Sequence, residues 1–504
     1  MMGSAEWPVS MGGGRKAVTW HISIEVDRDS NDSLTKQIQS AIKCRIAEHI
    51  LHPGIRLPST RQLASDLGVS RSVAVEAYEQ LTAEGYLTCL QGSGTRVADH
   101  PTAESLIFDE TLRERDPVSS ATWDLRTGRA NVTNFPRIEW LACYRAVLAV
   151  AGRDELDYPP VSGLPVLRES LAGYLGRVRG VRGSMATVMV TAGFAQGLSL
   201  LCEALPRLGI RKLAVEDPGH NGQRRFIEES GMHTVAIGVD DEGIDVERLA
   251  ASGARAVLVT PAHQFPTGIT LSAERRAALV RWAEEVDGLI IEDDYDGEFW
   301  FDRRERPSAL QGLAPDRVVY AGTASKILVP GLRLGWLVIP PHLAAMVGRI
   351  RSRHDLGSDG ISQNAFAELI NSGMLDRHLR RVRSRYRSRR EAFAQAVQLH
   401  LPEAQVAGSS AGLHAYLRLP PDVNETLLVT SVLSRSVLVH GGKHYQFTPG
   451  DRPPALVVGY STLPLAGIAE SMSAIREAVD EQRAKRPPVP QPAPERPLSA
   501  SYAR

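Results

Sequence analysis

The first readable pattern along the chain has a period close to four. Leu34, Ile38, Ile42, Ile46 and Ile50 recur at i, i+4 spacing behind Ser33, which predicts an amphipathic helix capped by Ser33 and stopped at His52-Pro53-Gly54. Ser59 followed by Gln62 predicts a capping box that opens a short helix with Leu63 and Leu67 inside. Gly68 turns the chain, and Ser70 predicts the cap of a second helix that buries Val73, Ala77 and Leu81. Two short helices joined by a tight glycine turn predict a helix-turn-helix. The next stretch, TCLQGSGTRVA (88–98), predicts two short strands around Gly92-Ser93-Gly94, a wing.

Beyond residue 187 the pattern changes. TVMVTAG (187–193), KLAVEDPG (212–219), RAVLVTPA (255–262), GLIIEDDY (288–295) and RVVYAG (317–322) are short, continuous apolar runs separated by helical stretches. Continuous runs mark strands covered on both faces, so an α/β domain with a mainly parallel sheet is expected. Ligands of such sheets sit at the carboxyl ends of the strands.

The division that follows is a tail (1–20), a helical DNA-binding unit (21–98), a polar linker (99–122), a large α/β domain (123–481) and a Pro-rich tail (482–504). Charge is balanced, 58 basic against 58 acidic residues, so DNA binding has to come from local surface and not from net charge. Residues 18–98 carry eight Lys/Arg and nine Asp/Glu, which counts against DNA binding until position is considered. Four scattered cysteines lack CxxC or CxH spacing, so neither a metal site nor a disulfide framework is expected. The chain shows no signal core and no long apolar run, so a cytoplasmic protein without a membrane segment is expected.

Candidate chemistry falls in the strand-end loops. A pyridoxal phosphate site needs an imine-forming lysine, an acid for the ring nitrogen, a donor for the phenolic oxygen and a phosphate cradle. Lys326 follows a strand, flanked by the hydroxyls of Thr323 and Ser325, and Arg333 is placed to grip the same phosphate. Asp293 and Tyr295 end GLIIEDDY, and GFAQG (193–197) opens a helix whose N–H groups suit phosphate. Taken singly, an SxK lysine is usually a surface lysine and a strand-end Asp pair is more often a cap or a metal ligand; the ordered set carries the argument. In the helical unit, Arg61 and Arg71 stand at helix starts where phosphates or guanine edges would meet them.

Two resemblances follow from these motifs. RLPSTRQLASDLGVSR, AYEQLTAEGYL and GSGTRV together resemble the GntR class of winged-helix regulators. The resemblance implies Arg61, Ser70, Arg71 and Ser72 as DNA-facing residues, with Gln91 and Gly92 at the wing tip; Val75 stands where several relatives carry a polar reader. TPAHQFPTG, IEDDYDGEFWF and YAGTASKILVPGLRLGWLVIP resemble fold type I aminotransferases, and the combination resembles the MocR-type regulators.

That family resemblance implies a seven-stranded sheet with a small C-terminal subdomain, a head-to-tail homodimer, pyridoxal 5'-phosphate as cofactor and a small-molecule effector: an amine, an amino acid or the cofactor itself. It implies an internal aldimine at Lys326, Asp293 at the ring nitrogen and Tyr295 at the phenolic oxygen. Thr323, Ser325, Arg333 and backbone groups at Phe194 and Ala195 would hold phosphate, and Tyr158 would reach the partner subunit's phosphate. Operator DNA with repeated half-sites is the implied macromolecular partner.

Three departures shape the expectation. His220 stands where an aromatic ring usually stacks on the cofactor, and Phe265 replaces an asparagine. Val457 stands where an arginine usually grips the substrate carboxylate, and no arginine occurs in 455–464. A regulator is therefore expected rather than an enzyme; the alternative is a working aminotransferase that carries a DNA-binding domain. The arginine-rich run 377–390 is read as a solvated helix, with a basic track for DNA as the alternative.

Overall fold

The computed structural model describes residues 26–28, 30, 32–47, 51–90, 94–98, 121–302, 306–448, 450 and 452–485. The chain divides into two compact units, residues 1–117 and 118–504. Both expected tails lie largely outside the described residues, as does the expected linker except for 121 and 122.

The first unit holds α1 Leu34–Ala47, α2 Thr60–Leu67, α3 Arg71–Ala83 and an antiparallel pair, β1 Leu87–Leu90 with β2 Gly94–Val97. The caps form where the sequence puts them: Ser59 accepts from the Gln62 N–H at 3.2 Å and Ser70 from the Val73 N–H at 3.4 Å. Only half of the expected capping box forms, because the Gln62 amide instead donates to Asp66 one turn on, at 2.8 Å. Gly68 takes a left-handed conformation (φ 62°), which the tight turn between α2 and α3 requires. Ile38, Ile42, Leu63, Ala77 and Leu81 close the core, while Val73 and Leu67 are only half buried.

In the second unit the strands are β3 Trp123–Asp124, β4 Val188–Thr191, β5 Lys212–Asp217, β6 His233–Asp240, β7 Gly243–Ile244, β8 Ala256–Val259, β9 Leu289–Asp294, β10 Val318–Thr323, β11 Gly335–Val338, β12 Gln405–Ala407, β13 His414–Arg418, β14 Val437–Leu438, β15 His440–Gly441 and β16 Ala455–Gly459. The main sheet runs β4-β11-β10-β9-β8-β5-β6-β7. Strands β10, β9, β8, β5 and β6 pair in parallel, and β11 runs against both of its neighbours. The expected count was seven; the eighth strand is the two-residue β7, folded back antiparallel onto β6.

Alternation places side chains on both faces. Val188, Val190, Trp336 and Val338 enter one apolar cluster, while Met189, Leu337 and Ile339 enter another. Both faces are thus covered, which is why these strands read as continuous apolar runs.

The small subdomain is the sheet β12-β13-β16-β15 backed by the helices Met374–His400 and Leu465–Ala484. The last helix runs past the expected boundary at 481 to Ala484. The arginine-rich run lies on the Met374–His400 helix and is largely structural. Arg381 pairs with Glu139 at 2.7 Å, Arg383 and Arg389 donate to the carbonyls of Glu298 and Leu463, and Arg390 is buried. Arg377, Arg380 and Arg387 remain exposed.

Candidate functional site

The carboxyl ends of the central strands open into a cavity of about 240 Å³. Of the expected cofactor residues, Phe194, Ala195, His220, Asp293, Tyr295, Thr323, Ser325, Lys326 and Arg333 all line it. Tyr158 does not; its side chain points to solvent, 76% exposed.

One end of the cavity is built for an oxyanion. The eleven-residue helix Phe194–Ala204 starts there, led by Gly193 at φ 86°. Thr323 caps the short turn that carries Lys326, accepting from the Ser325 N–H at 3.1 Å, and its hydroxyl lies 2.9 Å from that of Ser325. Arg333 holds a left-handed backbone (φ 49°), which turns its guanidinium back to the Ala192 carbonyl at 2.6 Å. A Cβ on Gly193 would sit 3.2 Å from that guanidinium, so glycine is what lets the arginine reach the helix start. Helix N–H groups, two hydroxyls and one arginine together could cradle a phosphate.

The opposite end is acidic. Asp293 is buried and accepts from the Gln223 amide at 2.9 Å. Burial pushes its carboxyl up to about 7, a push that outweighs the Gln223 hydrogen bond. Such a carboxyl is poised to ionise once a cation arrives. Glu216, at the end of β5, is likewise raised to about 7 by burial and is held by Thr260 at 2.6 Å and Gln264 at 3.3 Å.

Between the two ends stands Lys326. Burial lowers its ammonium while Asp296 and Asp293 oppose the fall, and its Nζ donates to the Gly128 carbonyl. A lysine eased toward its neutral form is a better nucleophile for a carbonyl carbon. His220 caps the helix Asn221–Glu229 through Nδ1, 3.2 Å from the Gln223 N–H, and its ring lies 5.3 Å from that of Phe265. Desolvation at the cavity mouth and the nearby Lys326 lower its pKa. The donor set, a phosphate cradle, a lysine between, and a buried acid without a cation, fits pyridoxal 5'-phosphate.

Gln223, Glu216 and His414 are among the cavity residues that were not foreseen. Gln223 lies one helical turn past His220, a spacing that puts both on one face, and its partner Asp293 is 70 residues away. Glu216 carries the same strand-end acidic signal as Asp293. His414 comes from the small subdomain, and no local pattern marks it. With His263 and Asp296 it forms a buried group whose ligand atoms lie within 4.8 Å of one another.

Val457 is fully buried on β16 in an apolar cluster with Phe265, Tyr416, Tyr445 and Ala455. The position where a carboxylate clamp was sought is therefore packed among aromatic and aliphatic side chains, of which Phe265 lines the cavity.

In the first unit, Ser70, Arg71, Ser72 and Arg61 are exposed at the starts of α3 and α2. No partner holds either arginine among the described residues, so both guanidiniums are free to meet phosphate. The acidic residues behind them are engaged elsewhere: Glu76 accepts from Thr35 at 3.3 Å, and Glu84 pairs with Lys43 across α1 and α3. That arrangement resolves the unfavourable charge count. Gln91 and Gly92 lie outside the described residues.

Comparison with known proteins agrees with both halves. The family of aminotransferases of class I and II matches residues 132–456, and the gntR family of bacterial regulatory proteins matches 34–97. The pyridoxine biosynthesis transcriptional regulator PdxR of Corynebacterium glutamicum is 35% identical, over 82% of this chain and 89% of its own. The probable rhizopine catabolism regulatory protein MocR of Rhizobium meliloti is 30% identical, over 90% and 95%. Among solved structures, the Pyrococcus horikoshii kynurenine aminotransferase matches with a TM-score of 0.67 at 24% identity, covering 74% of this chain and 94% of that one. The α-aminoadipate aminotransferase LysN of Thermus thermophilus, solved with a phosphopyridoxyl-leucine adduct, matches at 0.65 and 25% identity, covering 73% and 95%. With a winged helix followed by this fold and this cavity, the chain belongs to the MocR-type transcription regulators, in which a DNA-binding GntR domain precedes a pyridoxal-phosphate-dependent, aminotransferase-like domain.

Proposed function

We propose that the large domain works as a receptor and not as a turnover catalyst. Its ligand is pyridoxal 5'-phosphate itself, or an uncharged-tail amine that condenses with it, and occupancy sets how the winged helix engages DNA. Lys326 would hold the cofactor covalently, Asp293 would face its ring nitrogen, Tyr295 its phenolic oxygen and His220 its ring. Thr323, Ser325, Arg333 and the backbone at Phe194 and Ala195 hold its phosphate. When bound, the cofactor supplies an electrophilic carbon and an electron-withdrawing ring. Asp293 would face the ring nitrogen, to which its proton could pass, leaving a buried carboxylate beside a cation. Gln223 fixes the direction of that carboxylate.

The observation that carries this reading is Val457, fully buried among apolar side chains at the position where the family resemblance puts a clamp. A bidentate arginine-carboxylate contact is among the strongest single contacts available to an amino-acid substrate, and a site lacking it discriminates against that carboxylate. Multiple turnover with common amino acids and keto acids is expected to fall below detection. Sustained turnover with any of them would favour the aminotransferase alternative.

The winged helix reads the major groove with Arg61, Ser70, Arg71 and Ser72, and Gln91 and Gly92 add further contacts to the DNA. A head-to-tail homodimer is supported by an apolar stripe on the helix Arg137–Val150. Ile138, Leu141 and Leu148 stand on one face of it, with Val150, Leu156 and Tyr158 close by in sequence, and all are exposed. Tyr158 then reaches the phosphate in the partner's cavity, which explains why it avoids its own. Two winged helices per dimer call for repeated half-sites. No helix among the described residues is long and apolar enough to cross a membrane, and a protein that works on operator DNA works in the cytoplasm. The test is a footprint on the DNA upstream of its own gene, with and without pyridoxal 5'-phosphate. An identical footprint in both conditions overturns the reading.

A further inference from the structure

Behind Tyr295, away from the cofactor end of the cavity, lies a buried polar line that the reading above does not use. Asp296 and His263 are both buried, and His263 Nδ1 lies 3.1 Å from Asp296 Oδ2. The same Nδ1 lies 3.2 Å from the Tyr295 hydroxyl, and that hydroxyl donates to the His263 carbonyl at 2.9 Å. We propose that Asp296 and His263 are positioning residues that fix the direction of the Tyr295 hydroxyl, and through it the hydrogen bond to the oxygen substituent of the pyridoxal ring. The proposal rests on the reading that Tyr295 faces that oxygen.

The argument starts from Asp296. His263 is the only side chain that pairs with its carboxylate among the described residues. A carboxylate only accepts, so the proton of the His263 ring belongs on Nδ1. That N–H lies between two acceptors, Asp296 and the Tyr295 oxygen. By donating toward Tyr295 it occupies one lone pair of the phenol oxygen and leaves the hydroxyl proton two acceptors: the His263 carbonyl that takes it in the structure and, with the cofactor bound, the ring oxygen. Tyr295 stays protonated throughout, because burial, then Asp296 and Asp293, push its ionisation well above the usual phenol range.

The surroundings leave no substitute. Phe265 stands where a second donor to the same oxygen would be expected, and its ring meets Tyr295 edge-on at 6.2 Å. Phe265 offers no polar atom, so on the proposed reading the donor to the ring oxygen has to be Tyr295. The His263 ring is sandwiched closely: a Cβ on Gly412 would come within 2.3 Å of its Nδ1 and 2.5 Å of Asp296 Oδ2, and one on Gly268 within 3.1 Å of its Nε2. Two glycines thus make room for the pair. His414, whose ring lies 4.8 Å away, spends Nε2 on the Pro266 carbonyl at 3.1 Å, and burial keeps it neutral. The other ionisable groups facing Tyr295 are Asp293, Asp294 and Glu216, and Lys326 faces Asp293 and Asp296. His263, Asp296 and His414 also have the residue types of a metal site. A metal would have to displace the Nδ1 proton that the Asp296 contact calls for, so the hydrogen-bond pattern favours the proton.

The test is a pH titration of the visible absorption band of the full-length, cofactor-loaded protein. The midpoint reports how well the ring oxygen's negative charge is stabilised: losing a donor to that oxygen makes the neighbouring nitrogen hold its proton to higher pH. Tyr295→Phe should raise the midpoint, and His263→Phe should raise it by roughly half a unit or more. His263→Asn, whose amide nitrogen falls near Nδ1, should stay close to wild type. His263→Leu serves the same purpose should the phenylalanine not fold. If Tyr295→Phe moves the midpoint and both apolar His263 variants leave it unmoved, the proposal is overturned. A midpoint unmoved by Tyr295→Phe removes the underlying reading instead. One equivalent of zinc retained through dialysis by the wild type and lost in His414→Ala would also overturn the proposal, in favour of a metal site.

Discussion

The two units handle charge in opposite ways. In the winged helix the cations proposed to meet DNA, Arg61 and Arg71, are exposed at helix starts and have no partner among the described residues. In the large domain the working groups are buried, and burial has displaced their ionisation: Asp293 and Glu216 upward, Lys326 downward. The difference follows from the ligand. A DNA phosphate brings a counterion atmosphere, and affinity comes from releasing it, so the protein's cations are best left in water. A small cofactor has to be gripped by groups that have already lost their water and are short of an opposite charge. DNA binding should therefore respond steeply to salt and weakly to pH, and cofactor binding the reverse.

The sharpest way to break this contrast is Lys326→Ala. It should abolish the visible band of the cofactor-loaded protein entirely and leave cofactor-free DNA binding near wild type, measured by absorption and by gel shift. Next comes Asp293→Asn. Leaving the ring nitrogen without its buried partner should cost about 3 kcal/mol, roughly a hundredfold in cofactor affinity measured by equilibrium titration. Arg71→Ala should cost about 1–3 kcal/mol in operator binding and flatten its salt slope, while leaving the cofactor titration unchanged.

A subtler effect is the pH dependence of stability. Asp293 and Glu216, together with the buried Glu292, are raised to about 7 in the folded, cofactor-free protein. Their stabilisation is complete below the ordinary carboxylate range and is lost as pH rises through about 7. The melting temperature of the large domain should therefore fall between about pH 5 and 8, and added pyridoxal 5'-phosphate should raise it more at pH 8 than at pH 5. Asp293→Asn should shrink that difference. The smallest effect is Ser70→Ala, which removes one cap and should cost about 1 kcal/mol of winged-helix stability by thermal melt.

Much of this was legible in the sequence where the signal is local. The caps at Ser59 and Ser70, the αL glycine at 68 and the buried strands β4, β5, β8, β9 and β10 each come from residues within a few positions of one another. The cofactor residues were legible because strand ends carry them into one place. What escaped notice depends on distant pairing. Gln223 acts on Asp293 across 70 residues, and His263 meets Asp296 across 33. Strand β6 was missed because its burial is mixed, which blurs the apolar run, and β11 because it follows the irregular Arg333 turn directly. The exposure of Tyr158 is explained only on the proposed dimer, which a single chain does not contain.

The central claim is that occupancy of Lys326 changes what the winged helix does. The most direct measurement is the affinity of the full-length protein for its own upstream DNA, by fluorescence anisotropy, as pyridoxal 5'-phosphate is titrated into the wild type and into Lys326→Ala. The account predicts a change in affinity that saturates with the visible band in the wild type and is absent in Lys326→Ala. The same change in both proteins, or none in either, would contradict it.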